Sequence, residues 1–246
     1  MSSFLSHRRK AFAGGAGGEP LNANLVSFWK LQEASGTRVD EAASGNDLDD
    51  INTVTGSIDS IVYTDSSSFA AGTYERLRIT DATQTGLGVT GSFTLCGWFN
   101  FTLLTSTRGL FSKYDGTTQR AWSAFYRSSQ SDIRFILSGD GANVTACDAS
   151  FSPSLNTWYH LCIRYDSAAT EMAVIIDGGT PSTATFSGSV FDATADFSLG
   201  YTGFSPTSVG SYHNGLIEAC GFWDRALTNA EVTRLADETD SFYAQY

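Results

Sequence analysis

The groups in this sequence that could do chemistry are three histidines, four cysteines and 26 Asp and Glu side chains. His7, His160 and His213 stand far apart, and no His-x-x-x-His or mixed His/Cys cluster provides the spacing of a zinc site. Serine and aspartate are plentiful enough to assemble a Ser/His/Asp triad, yet there is no Gly-x-Ser-x-Gly elbow to expose a nucleophile on a sharp turn. The glycine run Gly14-Gly-Ala-Gly-Gly18 has no strand-like segment before it and no Lys-Ser/Thr after it, so it reads as a linker rather than a phosphate cradle. Cys96, Cys147, Cys162 and Cys220 are widely spaced without a C-x-x-C, and three of them lie in apolar runs. Buried thiols are the expectation, with a bridge as the alternative. Carboxylates are the remaining resource, since two of them held about 5 to 9 Å apart can hydrolyse a glycoside.

Charge narrows the partners. The chain carries 15 Lys and Arg against 26 Asp and Glu, for a net charge of −11. Setting aside Arg8, Arg9, Lys10 and Glu19 leaves 12 basic against 25 acidic residues in 21–246, a net of −13. Such a body repels the phosphate backbone, which argues against nucleic-acid binding. No run approaches the roughly 18 to 20 apolar residues of a membrane span, so no membrane insertion is expected. The charges of Met1-Ser-Ser-Phe-Leu-Ser-His-Arg-Arg-Lys10 sit at the wrong end of a short apolar stretch for a secretory signal, and export by the usual route is not expected.

The elements that must position any site are strands. From Leu21 onward, short runs of Val, Ile, Phe, Tyr, Trp and Thr alternate with Gly, Ser, Asp and Asn, the pattern of an all-β domain. The clearest runs are 25–31, 75–80, 91–101, 133–137, 158–165 and 171–176. In the second, Leu77 and Ile79 face one way and Arg76 and Arg78 the other, so one face is wet. Others are apolar on both faces, as suits the middle of two packed antiparallel sheets. One helix is expected, where Thr228-Asn-Ala-Glu231 forms a capping box ahead of Val232 and Leu235. The organisation expected is a flexible basic and Gly-rich arm over 1–20, a sandwich over 21–237 and a tail over 238–246.

The order of these segments resembles the concanavalin A-like jelly-roll superfamily, in its laminin-G-like branch. Leu25-Val-Ser-Phe-Trp-Lys-Leu31 with Val39-Asp40 and Ser44-Gly-Asn46 resembles its first strand and Asp-containing turn. Gly91-Ser-Phe-Thr-Leu-Cys-Gly-Trp98, Leu110-Phe-Ser-Lys113, Asn156-Thr-Trp-Tyr-His160, Val174-Ile-Ile-Asp-Gly178 and Phe197-Ser-Leu-Gly200 follow in order. Gly215-Leu-Ile-Glu-Ala through Trp223-Asp-Arg-Ala-Leu-Thr-Asn-Ala-Glu231 completes the series. The resemblance implies a two-sheet antiparallel jelly-roll sandwich with one short C-terminal helix, in which the tryptophans fill the core rather than stack on sugars.

Some relatives are glucanases with Glu-x-Asp-x-x-Glu on one strand. That spacing is absent here, Glu238-Thr-Asp240 being followed by Tyr243, so a glycoside hydrolase is the weakest alternative. Ser112-Lys-Tyr-Asp-Gly116 is similar to a sialidase Asp box but its spacing is wrong. Many laminin-G-like domains bind calcium through a turn Asp and carbonyls. The resemblance places Asp40, Asn46 and Asp47 at such a site, with Glu218 where Asp is frequent, so bound calcium is a candidate cofactor. A lectin-like activity toward a cell-surface glycan would use the rim-loop aromatics Tyr201, Phe204 and Tyr212.

The arm, with Phe4, Leu5, Arg8, Arg9, Lys10 and Phe12 on a glycine tether, has the layout of an anchor peptide. That layout resembles accessory structural proteins of tailed bacteriophages. The expectation is a non-enzymatic display protein of a virion, assembled in the host cytoplasm, homo-oligomeric, and docked on capsid or tail proteins through this arm.

Overall fold

The structure, a computed structural model, describes residues 20–116 and 118–246; the arm residues Phe4, Leu5, Arg8, Arg9, Lys10 and Phe12 lie outside the described residues. The first strands are β1 (Leu25–Trp29), β2 (Asp49–Ile51), β3 (Thr55–Ser57), β4 (Ser66–Phe69), β5 (Arg76–Ile79) and β6 (Phe93–Phe101). Then come β7 (Arg108–Asp115), β8 (Gln119–Arg127), β9 (Asp132–Gly141), β10 (Thr145–Ser150) and β11 (Trp158–Asp166). The series ends with β12 (Glu171–Ile176), β13 (Ser182–Thr185), β14 (Phe197–Leu199) and β15 (Gly215–Trp223), followed by helix α1 (Asn229–Leu235).

These strands form two antiparallel sheets. The first has the order β13-β12-β11-β6-β15-β4-β3, with β1 also paired to β15; the second runs β10-β9-β8-β7-β14-β5-β2. Strand β15 changes neighbour along its length, since Gly215–Ile217 pairs with β4 and Cys220–Trp223 with β1. A bulge makes the exchange possible: the register against β6 shifts between Glu218 and Gly221, and Ala219 adopts φ 50°.

The period-2 pattern explains the core. On β6 the residues Phe93, Leu95, Phe99 and Phe101 face the second sheet, where Phe111, Trp122, Phe135 and Phe197 meet them. Phe93 stacks on Phe222 at 5.9 Å, and Trp29 on Phe197 at 5.2 Å. The alternate residues of β6, Cys96 and Trp98, enter a second apolar layer on the opposite face of the first sheet, beneath α1. Trp29, Trp98, Trp122 and Trp223 are buried, whereas Trp158, also expected in the core, is only half-buried at the margin of the second apolar layer. The capping box also forms, with Thr228 accepting from Glu231 N and Glu231 accepting from Thr228 N.

Two features differ from expectation. Cys96 and Cys162 face each other across β6 and β11 and are joined as a disulfide, whereas Cys147 and Cys220 are the buried thiols that were anticipated. Directly opposed cysteines on neighbouring strands are close enough to bridge, a consequence of register that spacing along the chain does not reveal. The residues expected as a tail over 238–246 are instead built into the second apolar layer. Phe242 and Tyr243 are buried and pack against Phe28, with Trp98 Nε1 donating to the Tyr243 hydroxyl at 3.2 Å.

Candidate functional site

The outer face of the second sheet is built from the residues that alternate with its core side chains. Ser198, Ser112 and Ser123 lie side by side across β14, β7 and β8, with Arg76 and Arg78 on β5 beyond them and Tyr114 and Phe125 farther along β7 and β8. Residues 200–214 cross this face as a strap. Ser123 Oγ donates to the Thr202 carbonyl at 2.8 Å, and Gly200 N donates to the Leu110 carbonyl at 2.8 Å. Close approach depends on two glycines. A Cβ on Gly109 would meet the Tyr201 backbone at 2.5 Å, and Gly203, at φ 80°, lies directly against Tyr114.

Strap and sheet enclose an open cleft of about 270 Å³ whose walls carry Arg76, Tyr114, Asp115, Asp196, Tyr201 and Phe204. One wall is a stack: the Arg76 guanidinium lies 4.6 Å over the Tyr201 ring, Tyr201 lies 4.7 Å from Tyr212, and Tyr74 meets Tyr212 edge-on at 5.4 Å. Burial pushes the Tyr201 phenol up to about 12, with the neighbouring Tyr212 adding to the effect, so Tyr201 keeps its proton at neutral pH. Phe204 forms the lip, 39 % exposed, with Tyr114 and Phe125 set edge-on against it at 5.1 and 4.8 Å. Lys113, buried behind the lining residue Ala195, donates to its carbonyl at 2.9 Å and to Asp81 at 2.6 Å. Asp196 pairs with Arg78 at 3.1 Å, while Asp115 is exposed at the mouth.

Of the three rim aromatics named from sequence, Phe204 presents an open ring, Tyr201 lines the cleft with both faces covered, and Tyr212 stands behind it, its hydroxyl donating to the Pro206 carbonyl. Tyr212 therefore shapes the strap rather than touching a ligand. Arg76 was visible in the sequence on the wet face of its strand, and Asp115 in the Ser112–Gly116 segment. Neither was recognisable as a site residue before the strap brought them to one cleft.

The residues assigned to calcium do not fit a cation. Asp40 accepts from the backbone amides of Phe28, Ala42 and Asn46 at 2.9, 3.0 and 3.0 Å, and Asp47 accepts from Asp40 N at 2.8 Å. Asn46 donates to Ser27 and to the Thr85 carbonyl and accepts from Thr85 N. Glu218 works elsewhere, buried on the outer face of the first sheet and accepting from the amides of Ile61, Val62 and Tyr63. Burial pushes its carboxyl upward against the pull of those amides. These oxygens act as caps for loop amides, and among the described residues no group of three His, Cys, Asp or Glu side chains is placed to hold a metal ion.

The histidines do not converge either: His160 packs on Trp98 in the first sheet, and His213 lies among Phe69, Phe99 and Phe101, while His7 is outside the described residues.

A two-sheet sandwich with a polar, aromatic-lipped cleft under a surface strap defines a lectin-like architecture. The model of a laminin-G family within the Concanavalin A-like lectin/glucanases superfamily matches residues 69–233, and the chain belongs to that superfamily. Among solved structures, the chain is similar to the botulinum neurotoxin serotype C1 binding domain, with 12 % identity and a TM-score of 0.66. It is similar to the serotype D ligand-binding domain in complex with N-acetylneuraminic acid, with 12 % identity and a TM-score of 0.66. A third is the neurotoxin DC binding domain in complex with rat synaptotagmin II, with 11 % identity and a TM-score of 0.64. Each match covers 89 % of this chain and 52 % of the other, so the chain spans about half the length of these neighbours. Comparison with curated protein sequences finds no match.

Proposed function

We propose that this domain is a glycan-binding module that acts without catalysis, with the cleft beneath the 200–214 strap as its binding site. One observation carries the reading: an exposed aromatic lip, Phe204, stands beside a carboxylate, Asp115, and a guanidinium, Arg76, in a single concave site. A saccharide offers an apolar C–H face and a fringe of hydroxyls, and these are the partners that a ring and a few convergent polar groups select. The neighbours described above are binding domains, one of them in complex with N-acetylneuraminic acid, which supports the same class of ligand. Hydrolysis is disfavoured because the Glu-x-Asp-x-x-Glu strand is absent and one of the two cleft aspartates is engaged with Arg78.

The test is a glycan-array screen of the full chain followed by calorimetry on the best ligands. Phe204→Ala is expected to weaken every ligand by about tenfold or more, the loss of one stacking contact and its buried area. Failure to bind any glycan at millimolar concentration, or binding that Phe204→Ala leaves unchanged, overturns the proposal.

The wider setting we propose is display on a virus particle, in which the segment containing Phe4, Leu5, Arg8, Arg9, Lys10 and Phe12 docks on capsid or tail proteins during assembly in the host cytoplasm. It is favoured by the contrast between this basic, partly apolar arm and a body of net −13. Particle association that persists after deletion of residues 1–20 would refute it.

A further inference from the structure

Twelve Lys and Arg residues lie within residues 20–246. Lys30, Arg38, Arg78, Lys113, Arg127, Arg134, Arg164, Arg225 and Arg234 form ion pairs, which an excess of acidic groups makes easy. Arg108 and Arg120 donate to backbone carbonyls. Arg76 alone, among the described residues, has neither an ion pair nor a backbone carbonyl: its polar partner is the Tyr201 side chain, and its Nε, like those of Arg78, Arg120 and Arg164, is buried without an acceptor. In a body with two carboxylates for every cation, a guanidinium left unmatched inside a cleft is a conspicuous exception.

Arg76 is also held ready. Its guanidinium lies over the Tyr201 ring, which packs in turn on Tyr212. The contact restricts the side chain and leaves it without a carboxylate partner, and a guanidinium so held can recognise a planar carboxylate by two parallel hydrogen bonds. The other charges of the cleft do not take up this capacity. Asp196 is committed to Arg78, Lys113 to Asp81, and Asp115 stands outside ion-pair reach of any cation among the described residues. Arg76 and Asp115 thus line one cleft with opposite, unmatched charges.

We propose that the cleft selects carboxylated glycans, of the sialic or uronic acid type, with the sugar carboxylate on Arg76, hydroxyls donating to Asp115, and the ring face against Phe204. This deepens the glycan-binding reading and rests on it. A neutral sugar offers the Arg76 fork hydroxyl oxygens but no opposite charge. The acid supplies that charge in a site partly shielded from water, where charge-assisted bonds are stronger than exposed ones.

The experiment compares each acid with its own methyl ester, which has nearly the same shape and no charge. Methyl glycosides of N-acetylneuraminic acid and of glucuronic acid, with their esters and with lactose as a neutral sugar, are titrated into the full chain at low and moderate salt. The wild type is expected to prefer acid over ester by about tenfold or more for at least one of the two sugars, with the preference shrinking as salt rises. Which sugar shows it distinguishes the sialic from the uronic source. Arg76→Gln is expected to bring acid and ester to equal affinity, and Arg76→Lys to restore only part of the preference. An unchanged unfolding midpoint and far-UV spectrum would show that the variants fold.

Equal affinity of the wild type for acid and ester, or a preference that survives Arg76→Gln, overturns the inference while glycan binding itself stands. Absence of binding to any of the five saccharides overturns the binding reading and the inference together.

Discussion

The site depends on how closely the 200–214 strap lies on the second sheet, and Gly109 tests that dependence directly. In Gly109→Ala the new methyl would sit 2.5 and 2.6 Å from two backbone atoms of Tyr201 and 2.7 Å from the Ser211 carbonyl oxygen, where ordinary contact begins near 3.4 Å. All three obstacles are backbone, so no side chain can rotate away; the strap must lift by about 1 Å to restore ordinary contact. Lifting strains the bonds that anchor it, Ser123 Oγ to Thr202 O and Gly200 N to Leu110 O. Overpacking of this kind costs about 1 to 3 kcal/mol. In a domain of this size that corresponds to a drop of about 3 to 10 °C in the unfolding midpoint.

Because Tyr201 supports Arg76 and Phe204 is part of the strap, the same substitution should weaken saccharide binding along with stability. Differential scanning calorimetry and calorimetric titration measure the two effects, and hydrogen exchange of the strap amides locates them. Gly91→Ala serves as the control, since a methyl there meets nothing within 4 Å. A Gly109→Ala protein that melts within about 1 °C of wild type and keeps its affinity would refute the claim that strap and sheet form one site.

Three further outcomes are expected. Replacing Cys96 and Cys162 by serine, or reducing their bridge, should lower stability by about 2 to 4 kcal/mol, because the crosslink closes a sequence separation of 66 residues; chemical denaturation with and without reductant measures it. His160 and His213 are held down by burial to about 3 and about 4, from an ordinary value of 6.5. The unfolded chain therefore takes up protons below about pH 6.5 while the folded chain does not, so stability falls as the pH drops from there toward 4. His213→Gln should flatten that slope, and an unchanged acid profile would contradict it. Chelation of divalent cations should leave the unfolding midpoint unchanged, whereas Asp40→Ala, which deprives three amides of their acceptor, two of them buried, should cost about 2 kcal/mol or more with or without calcium. A chelator-induced drop would restore the calcium reading.

Much of the fold was legible because strand patterning is local. The alternation of Leu77 and Ile79 with Arg76 and Arg78 assigns the faces of β5 without any tertiary knowledge, and the Thr228–Glu231 capping box marks where α1 starts. The site was less legible for a physical reason. Tyr201 and Tyr212 stand together, but their adjacency across an isolated bridge turns each ring into the other's packing partner. Asp40 and Glu218 carry oxygen ligands suitable for calcium, yet which atoms fill those lone pairs depends on the loops folded against them, and here the partners are backbone amides. Phe242 and Tyr243 read as a tail because much of their cover comes from distant segments: Phe28, more than two hundred residues away, and Trp98.

By itself, then, the sequence determines an acidic all-β sandwich with a basic N-terminal segment and the residues facing the core, since these follow from charge and from a period of two along each strand. Tertiary structure decides the rest: that Cys96 meets Cys162, that the carboxylates cap amides, and that Arg76, Asp115 and Phe204 share one cleft. Such groupings arise from sheet order and from a strap crossing a face, contacts between distant segments whose geometry no local pattern encodes.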